Sequence, residues 1–403
     1  MTMAPNPPGG HDFGASIGGD VNPPSASPSP RRPRPRFAGL VLAGAGVVVF
    51  GAAIAGVHWG ANVAYDDALT TFDEAVGAAD AGQSRLDDAA ASLAETTDKA
   101  ATIADAESGT LMDAGAKEAF TAAVAQAMDA ASEAMALTEQ NLPRAEEKPE
   151  WTWELFAEAA QLGTDRDAAA AQLERFDSAS ADTASAAELV DETGTAAVLS
   201  AADAAATFEA AHVSARNRDI IALRHAADGL RGVAVLDATT ADAYIDLESA
   251  AAAMLASEQA ELSEKQGPLF DARVQIEAFA RELAPDVLID FDWSDYVGGY
   301  GDGDSMGGYA TWWYGDPGYS TIELSNSVAA LWPSERSRAL VAHEVGHAIS
   351  VKCEGMYDDT TQESIEAWAT AWAISMGFTD TANGTSAYGA PPQALIDAAA
   401  GCR

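Results

Sequence analysis

From residue 60 to residue 266 the chain is built largely from Ala, Asp, Glu, Ser and Thr, as in LDDAAASLAETTDKAATIADAES (86–108). Alanine is the strongest helix former, and the larger apolar residues recur at mixed three- and four-residue spacing. Strands and compact sheets need more β-branched and aromatic residues than this stretch holds. The expectation is long antiparallel helices forming a slim bundle or coiled-coil stalk, interrupted at Pro143 and Pro149 and restarted at EWTWELF (150–156). His212 and His225 stand alone in it, and lone helical histidines are ordinarily structural. The reading for this region is a spacer or interaction element, with self-association through it the expected further contact.

The flanks differ. Residues 1–36 are rich in Pro, Gly and Ser and end in Arg31, Arg32, Arg34 and Arg36. Such a composition buries too little apolar surface to offset its ordering entropy, so a disordered tail is expected. FAGLVLAGAGVVVFGAAIAGVHW (37–59) follows without a charge, long enough to span ~30 Å of hydrocarbon. With arginines before it and Asp66 and Asp67 after it, the positive-inside rule predicts a single-pass anchor. The N-terminus is then cytoplasmic and the remainder extracellular. A cleaved signal peptide ending near Ala53-Ile54-Ala55 is the rival, but the apolar run and the segment before it are longer than such signals require. The 403-residue chain carries 62 acidic and 22 basic residues, a formal charge of −40. Phosphate recognition needs clustered Lys and Arg, so no nucleic-acid partner is expected. Cys353 and Cys402 are the two cysteines. Outside the cytoplasm they can pair, tying the C-terminal tail to the preceding helix; two free thiols are the alternative.

After residue 266 aromatic residues become frequent and short alternating runs appear at 287–293, 307–314 and 319–325. Helical patterns at 268–284, 334–352 and 361–377 surround them. Residues 267–403 are therefore read as a compact α+β domain. Within it, SERSRALVAHEVGHAIS (334–350) opens on a credible N-cap, Ser334. His343 and His347 are four residues apart, on one face of a helix, and two such imidazoles can reach one zinc ion. Glu344 stands beside the first, placed to take a proton from water. A third ligand is expected one helix on, in QESIEAWATAWAI (362–374). Glu366 lies 19 residues beyond His347, room enough for a turn and a returning helix; Glu363, one turn earlier on nearly the same face, competes with it.

HEVGH followed by EAWATAWA resembles the gluzincin class of zinc metallopeptidases, whose second helix carries a glutamate ligand in an E-x-x-A-D-x-x-A-like pattern. The resemblance covers roughly 268–377. It implies a zincin-like catalytic domain, Zn2+ on His343, His347 and Glu366, Glu344 as general base, and a peptide or protein substrate. It further implies close helix packing at Ala369 and Ala373. Thr370 stands where the family has an aspartate that orients a ligand histidine. The metzincin pattern is set aside because Ser350 and Cys353 occupy its glycine and third-histidine positions. GTSAYG (384–389) echoes an aspzincin motif but holds no aspartate.

Tyr388, Tyr357 and Tyr309 are the candidates to stabilise an oxyanion. The strand YSTIELSNS (319–327) is expected to pair with an extended substrate through its main chain, Ile322 and Leu324 facing the core. Asp302 and Asp304, in GGYGDGDSMGG, lack calcium-loop spacing and read as a flexible hairpin or a loop near the cleft. The function expected is that of a membrane-anchored extracytoplasmic zinc peptidase. A non-catalytic envelope protein, with partners on the helical region and a structural or relic metal site, is the second reading.

Overall fold

In the computed structural model of the protein, residues 38–299, 305, 307–315 and 317–403 are described, residues 38–51 by their backbone alone. The expectations for the tail 1–36 and for Asp302 and Asp304 lie outside the described residues. Of the anchor expected at 37–59, residue 37 lies outside them too, and the side chains of 38–51 are not described. Among the described residues no helix is long and apolar enough to cross a membrane, a statement that does not reach the side chains of 38–51.

Long helices dominate the alanine-rich region: α1 (Ala38–Ala106), α2 (Ala114–Thr138) and α3 (Thr152–Ala211). The chain divides into two compact units, one formed by residues up to Asp67 with Glu147–Ala159, the other by Ala68–Glu146 with Ala160–Arg403. In the second unit the mixed apolar spacing resolves into a seven-residue repeat. Phe72, Ala79, Leu86, Leu93 and Ala100 are buried along α1, and Leu162, Ala169, Phe176, Thr183, Val190 and Ala197 along α3. A seven-residue repeat keeps one seam of each helix facing its neighbour. Gly82 meets Leu173, and Arg85 lies 2.6 Å from Asp177, so α1 and α3 run parallel there with α2 returning between them in the chain. Consecutive helices are antiparallel, as expected: Gln83 and Glu107 meet Thr138 and Lys117, while Phe120 and Asn141 meet Gly194 and Gln172.

Two shorter helices, α4 (Asn217–Leu230) and α5 (Ala238–Glu264), lead to α6 (Phe270–Leu283) and a three-stranded sheet. Its strands are β1 (Leu288–Ser294), β2 (Gly308–Trp313) and β3 (Tyr319–Ser325), in the order β1-β3-β2. β1 is parallel and β2 antiparallel to β3. Then follow α7 (Asn326–Ala330), α8 (Glu335–Ala348), a 3-10 turn (Ile349–Lys352), α9 (Gln362–Ser375), α10 (Thr385–Tyr388) and α11 (Gln393–Ala399). The described architecture is α+β with a small mixed sheet. One expectation is overturned: β3 is the central strand, its main chain committed on both sides. The edges belong to β1 and β2, and β2 is the one that lines the cleft described below. Ile322 and Leu324 are fully buried, as their alternation predicts.

The helices join the sheet through charge. Lys265 is 2 % exposed, its ammonium 3.2 Å from Glu277 and 3.4 Å from Glu261. Glu261 pairs with Arg216, which lies 2.7 Å from Asp292 on β1; Glu277 also takes Arg281 and the Trp293 indole N–H. Three cations thus meet three carboxylates, and buried charge is tolerable only when matched in this way. Next to it Asp290 accepts a hydrogen bond from the Asn217 main-chain N–H at 2.7 Å. Burial pushes its carboxyl up to about 6, against the pull of that N–H and of Arg216.

A carboxyl raised on folding keeps its proton where the unfolded chain has lost it. The contribution of Asp290 to stability should therefore fall as pH rises from about 4 to about 6. In Asp290→Asn that slope should flatten, as urea unfolding across the range would read out. Cys353 and Cys402 form a disulfide. Opening a loop of 49 residues by Cys402→Ser should cost about 4 kcal/mol in the chain-entropy account, measured by denaturant unfolding without reductant. Excess reductant should bring the wild type to the same value.

Candidate functional site

Ser334 caps α8 by accepting a hydrogen bond from the Ser337 N–H, which starts the helix where the sequence signals it. Thr361 does the same for α9. The two helices pack at Gly346: a Cβ there would stand 2.8 Å from the Ala369 carbonyl oxygen, so only glycine permits the approach. This contact brings α9 over the histidine face of α8.

His343, His347 and Glu366 come together, each offering one atom within 4.8 Å of the others, and all three are buried. Glu366 Oε2 lies 3.0 Å from His343 Nε2 and 3.3 Å from His347 Nε2. Ligands about 2.1 Å from one ion at tetrahedral angles lie roughly 3.4 Å apart. Two imidazole nitrogens and a carboxylate oxygen at this separation fit a single divalent ion. Glu363, the competing residue, is exposed on the first turn of α9 and outside the cluster. The other Glu366 oxygen accepts a hydrogen bond from Gln362 at 2.6 Å, which turns Oε2 towards the histidines.

Electrostatics couples the three. Burial disfavours charge on Glu366, yet hydrogen bonds from His343 and His347 outweigh it and hold the carboxyl well below its ordinary value. His343 is raised: burial opposes the charge, and Glu366, Glu344 and the main chain of Asn383 overcome it. His347 is lowered, by burial first. Glu344 is 5 % exposed, and burial raises it to about 7 against the opposing influence of His343.

The supports of the two imidazoles differ. Thr370 Oγ1 is 3.5 Å from His343 Nδ1, at the outer limit of a hydrogen bond. The Asn383 main chain favours the protonated ring, as an accepting carbonyl does. That carbonyl supplies the acceptor that Thr370 supplies weakly. Asn383 itself is fixed by a hydrogen bond from its side-chain amide to the Phe378 carbonyl and by accepting one from the Thr385 N–H. Gly384 follows in a left-handed conformation (φ 101°), pressed against Thr370 and the His343 ring. Among the described residues the Nδ1 atom of His347 has no hydrogen-bond partner; Trp312, stacked 5.5 Å away at 10°, positions that ring instead.

These groups face a cleft of about 350 Å³. One wall is the whole of β2, from Gly308 to Trp313; His343, Glu344, His347, Ile365, Glu366 and Tyr388 form much of the rest. A Cβ on Gly308 would overlap the Glu344 carboxyl, so the strand approaches that side chain directly. Of the three tyrosines, Tyr388 stacks on His343 (5.9 Å, 15°) and Tyr309 lines the cleft, while Tyr357 stacks on Trp368. Burial of its hydroxyl, then the charges of Glu366 and Glu344, raise Tyr388 to about 12. Asn383, Gly384, Gln362 and Trp312 were not anticipated from the sequence. GTSAYG carried a signal, but a different motif was sought in it.

Gly384→Ala should push a methyl into Thr370 and His343, lowering divalent-metal affinity by about 10–100-fold in chelator competition. Thr370→Ala, which leaves the Asn383 carbonyl in place, should lose less. No protein-family model, no curated protein and no solved structure matches this chain.

Proposed function

We propose that the protein is a membrane-anchored, zinc-dependent peptidase of the gluzincin kind, its catalytic domain outside the cell. The observation that carries this reading is the convergence of His343, His347 and Glu366 beside a buried Glu344, under the free edge of a strand. Zinc, when bound, supplies a Lewis acid that acidifies water towards neutral pH and polarises a carbonyl.

The protein's own groups do the rest. Glu344, poised near neutrality by burial, takes a proton from the attacking water and returns it to the leaving amine. Tyr388, still protonated at neutral pH, donates to the oxyanion that develops on the scissile carbonyl. The free edge of β2 offers main-chain N–H and C=O groups to an extended peptide, aligning it across the cleft. Trp312 and Ile365 give the walls apolar surface and help exclude water.

Glu344→Gln keeps the three donors and removes the base. It should bind one zinc per chain, like the wild type, while turnover of a peptide library falls about 10²–10⁴-fold. His347→Ala should lose the metal. Wild type that takes up no zinc after loading at neutral pH would overturn the reading, as would a Glu344→Gln variant of undiminished turnover.

A further inference from the structure

The unit formed by residues up to Asp67 with Glu147–Ala159 exposes an unusual number of large apolar side chains. Trp59 is 71 % exposed, Trp151 58 %, Trp153 66 % and Phe156 47 %, with Ile54 and Val57 open on α1. Trp151 and Trp153 stack on one another, centroids 5.2 Å apart at 15°. Stacking of two indoles that remain open to solvent leaves a broad apolar plate, and such plates mark a contact surface.

Its position along α1 identifies the occupant. From Ala38, close to the start of the uncharged run, to Trp59 is 21 helical steps, about 32 Å at 1.5 Å each. That matches a hydrocarbon core of ~30 Å, with Arg36 beyond one end. Trp59 then falls at the opposite boundary, where indoles concentrate because their apolar body and N–H suit the headgroup region. His58 Nδ1 lies 2.9 Å from Thr152 Oγ1, which sets Trp151 and Trp153 at the level of Trp59. Charge lies on the far side: Lys148 reaches Asp66 at 2.6 Å, two turns further from the apolar run, its ammonium over the Tyr65 ring.

We infer that Trp151 and Trp153, with Trp59 and Phe156, enter the headgroup region of the bilayer, giving the chain a second lipid contact at the start of α3. This rests on the membrane-anchored reading above. Glu150 and Glu154 flank the pair, so zwitterionic lipid suits it; a second copy would set these carboxylates against one another.

The test uses the full chain in phosphatidylcholine vesicles whose acyl chains carry bromine either near the headgroup or near the tail end. Flotation with the vesicles reports the anchor independently of the tryptophans. Shallow bromine should quench part of the emission of the wild type more strongly than deep bromine. In Trp151→Phe/Trp153→Phe, which keeps the ring packing, that component should fall to about one third, the share of Trp59. Equal quenching in variant and wild type, with the chain afloat, would overturn the second contact and leave the anchor standing. Failure to float would overturn both. A dimer in detergent that Trp151→Ser/Trp153→Ser abolishes, with no quenching difference in lipid, would give the surface to a second copy and overturn the proposal.

Discussion

A single carboxylate oxygen, Oε2 of Glu366, lies within hydrogen-bonding reach of two imidazoles in a site almost closed to water. Burying three ionisable side chains is costly unless each satisfies another, and here each does. The backbone is arranged around that requirement. Helices α8 and α9 approach closely enough only because Gly346 has no side chain, and the turn at Gly384 lies against Thr370 and the His343 ring only because it has none. Gly308 completes the enclosure by letting β2 lie against Glu344. Three missing methyl groups therefore set how near the surrounding chain comes to the donors.

Much of this was legible beforehand because it is local. The two histidines share a face through the 3.6-residue period alone, and the strands and helices after residue 266 declared themselves by alternation and capping. What the sequence withheld depends on distant parts of the chain. Sheet order is one such case: β3 has the alternation of a half-buried strand whether it lies at an edge or in the middle. Only the return of β2 along its other side decides. The Asn383 carbonyl is another, since a main-chain atom leaves no residue-type signature. Trp312 looked like one more aromatic in a strand, and its stacking on His347 follows from the sheet's placement over α8. The seven-residue seam was blurred because alanine fills many of its positions and gives little contrast with its neighbours.

The sequence break near residue 266 marks a change of composition, and Lys265 lies one residue from it. Through that ammonium the end of α5 is held to α6, and through Arg216 the loop before α4 is held to β1. Pairs of this kind add little net stability over apolar packing, but losing one partner is expensive, so they favour one arrangement over its alternatives. The α4 N-terminus adds direct main-chain and side-chain bonds to β1 and β3 through Asn217. The sheet that carries the wall of the cleft is thereby fastened from the side away from α8.

Glu366, Thr370, Asn383, Gly384 and Tyr388, each of which meets one or both of the histidines, all lie between Cys353 and Cys402, as does Gln362, which holds Glu366. That stretch is a closed ring, joined through Cys353 to the 3-10 turn that follows α8. The exposed connection 354–361 is a part of the ring open to a protease. A single scission there would leave both cut ends on the same molecule, and the glutamate donor would still be covalently joined to the helix that bears its histidine partners. Cutting at one point cannot shed half of the site, so the crosslinked chain would keep its donors together after a nick that would part those of an uncrosslinked one.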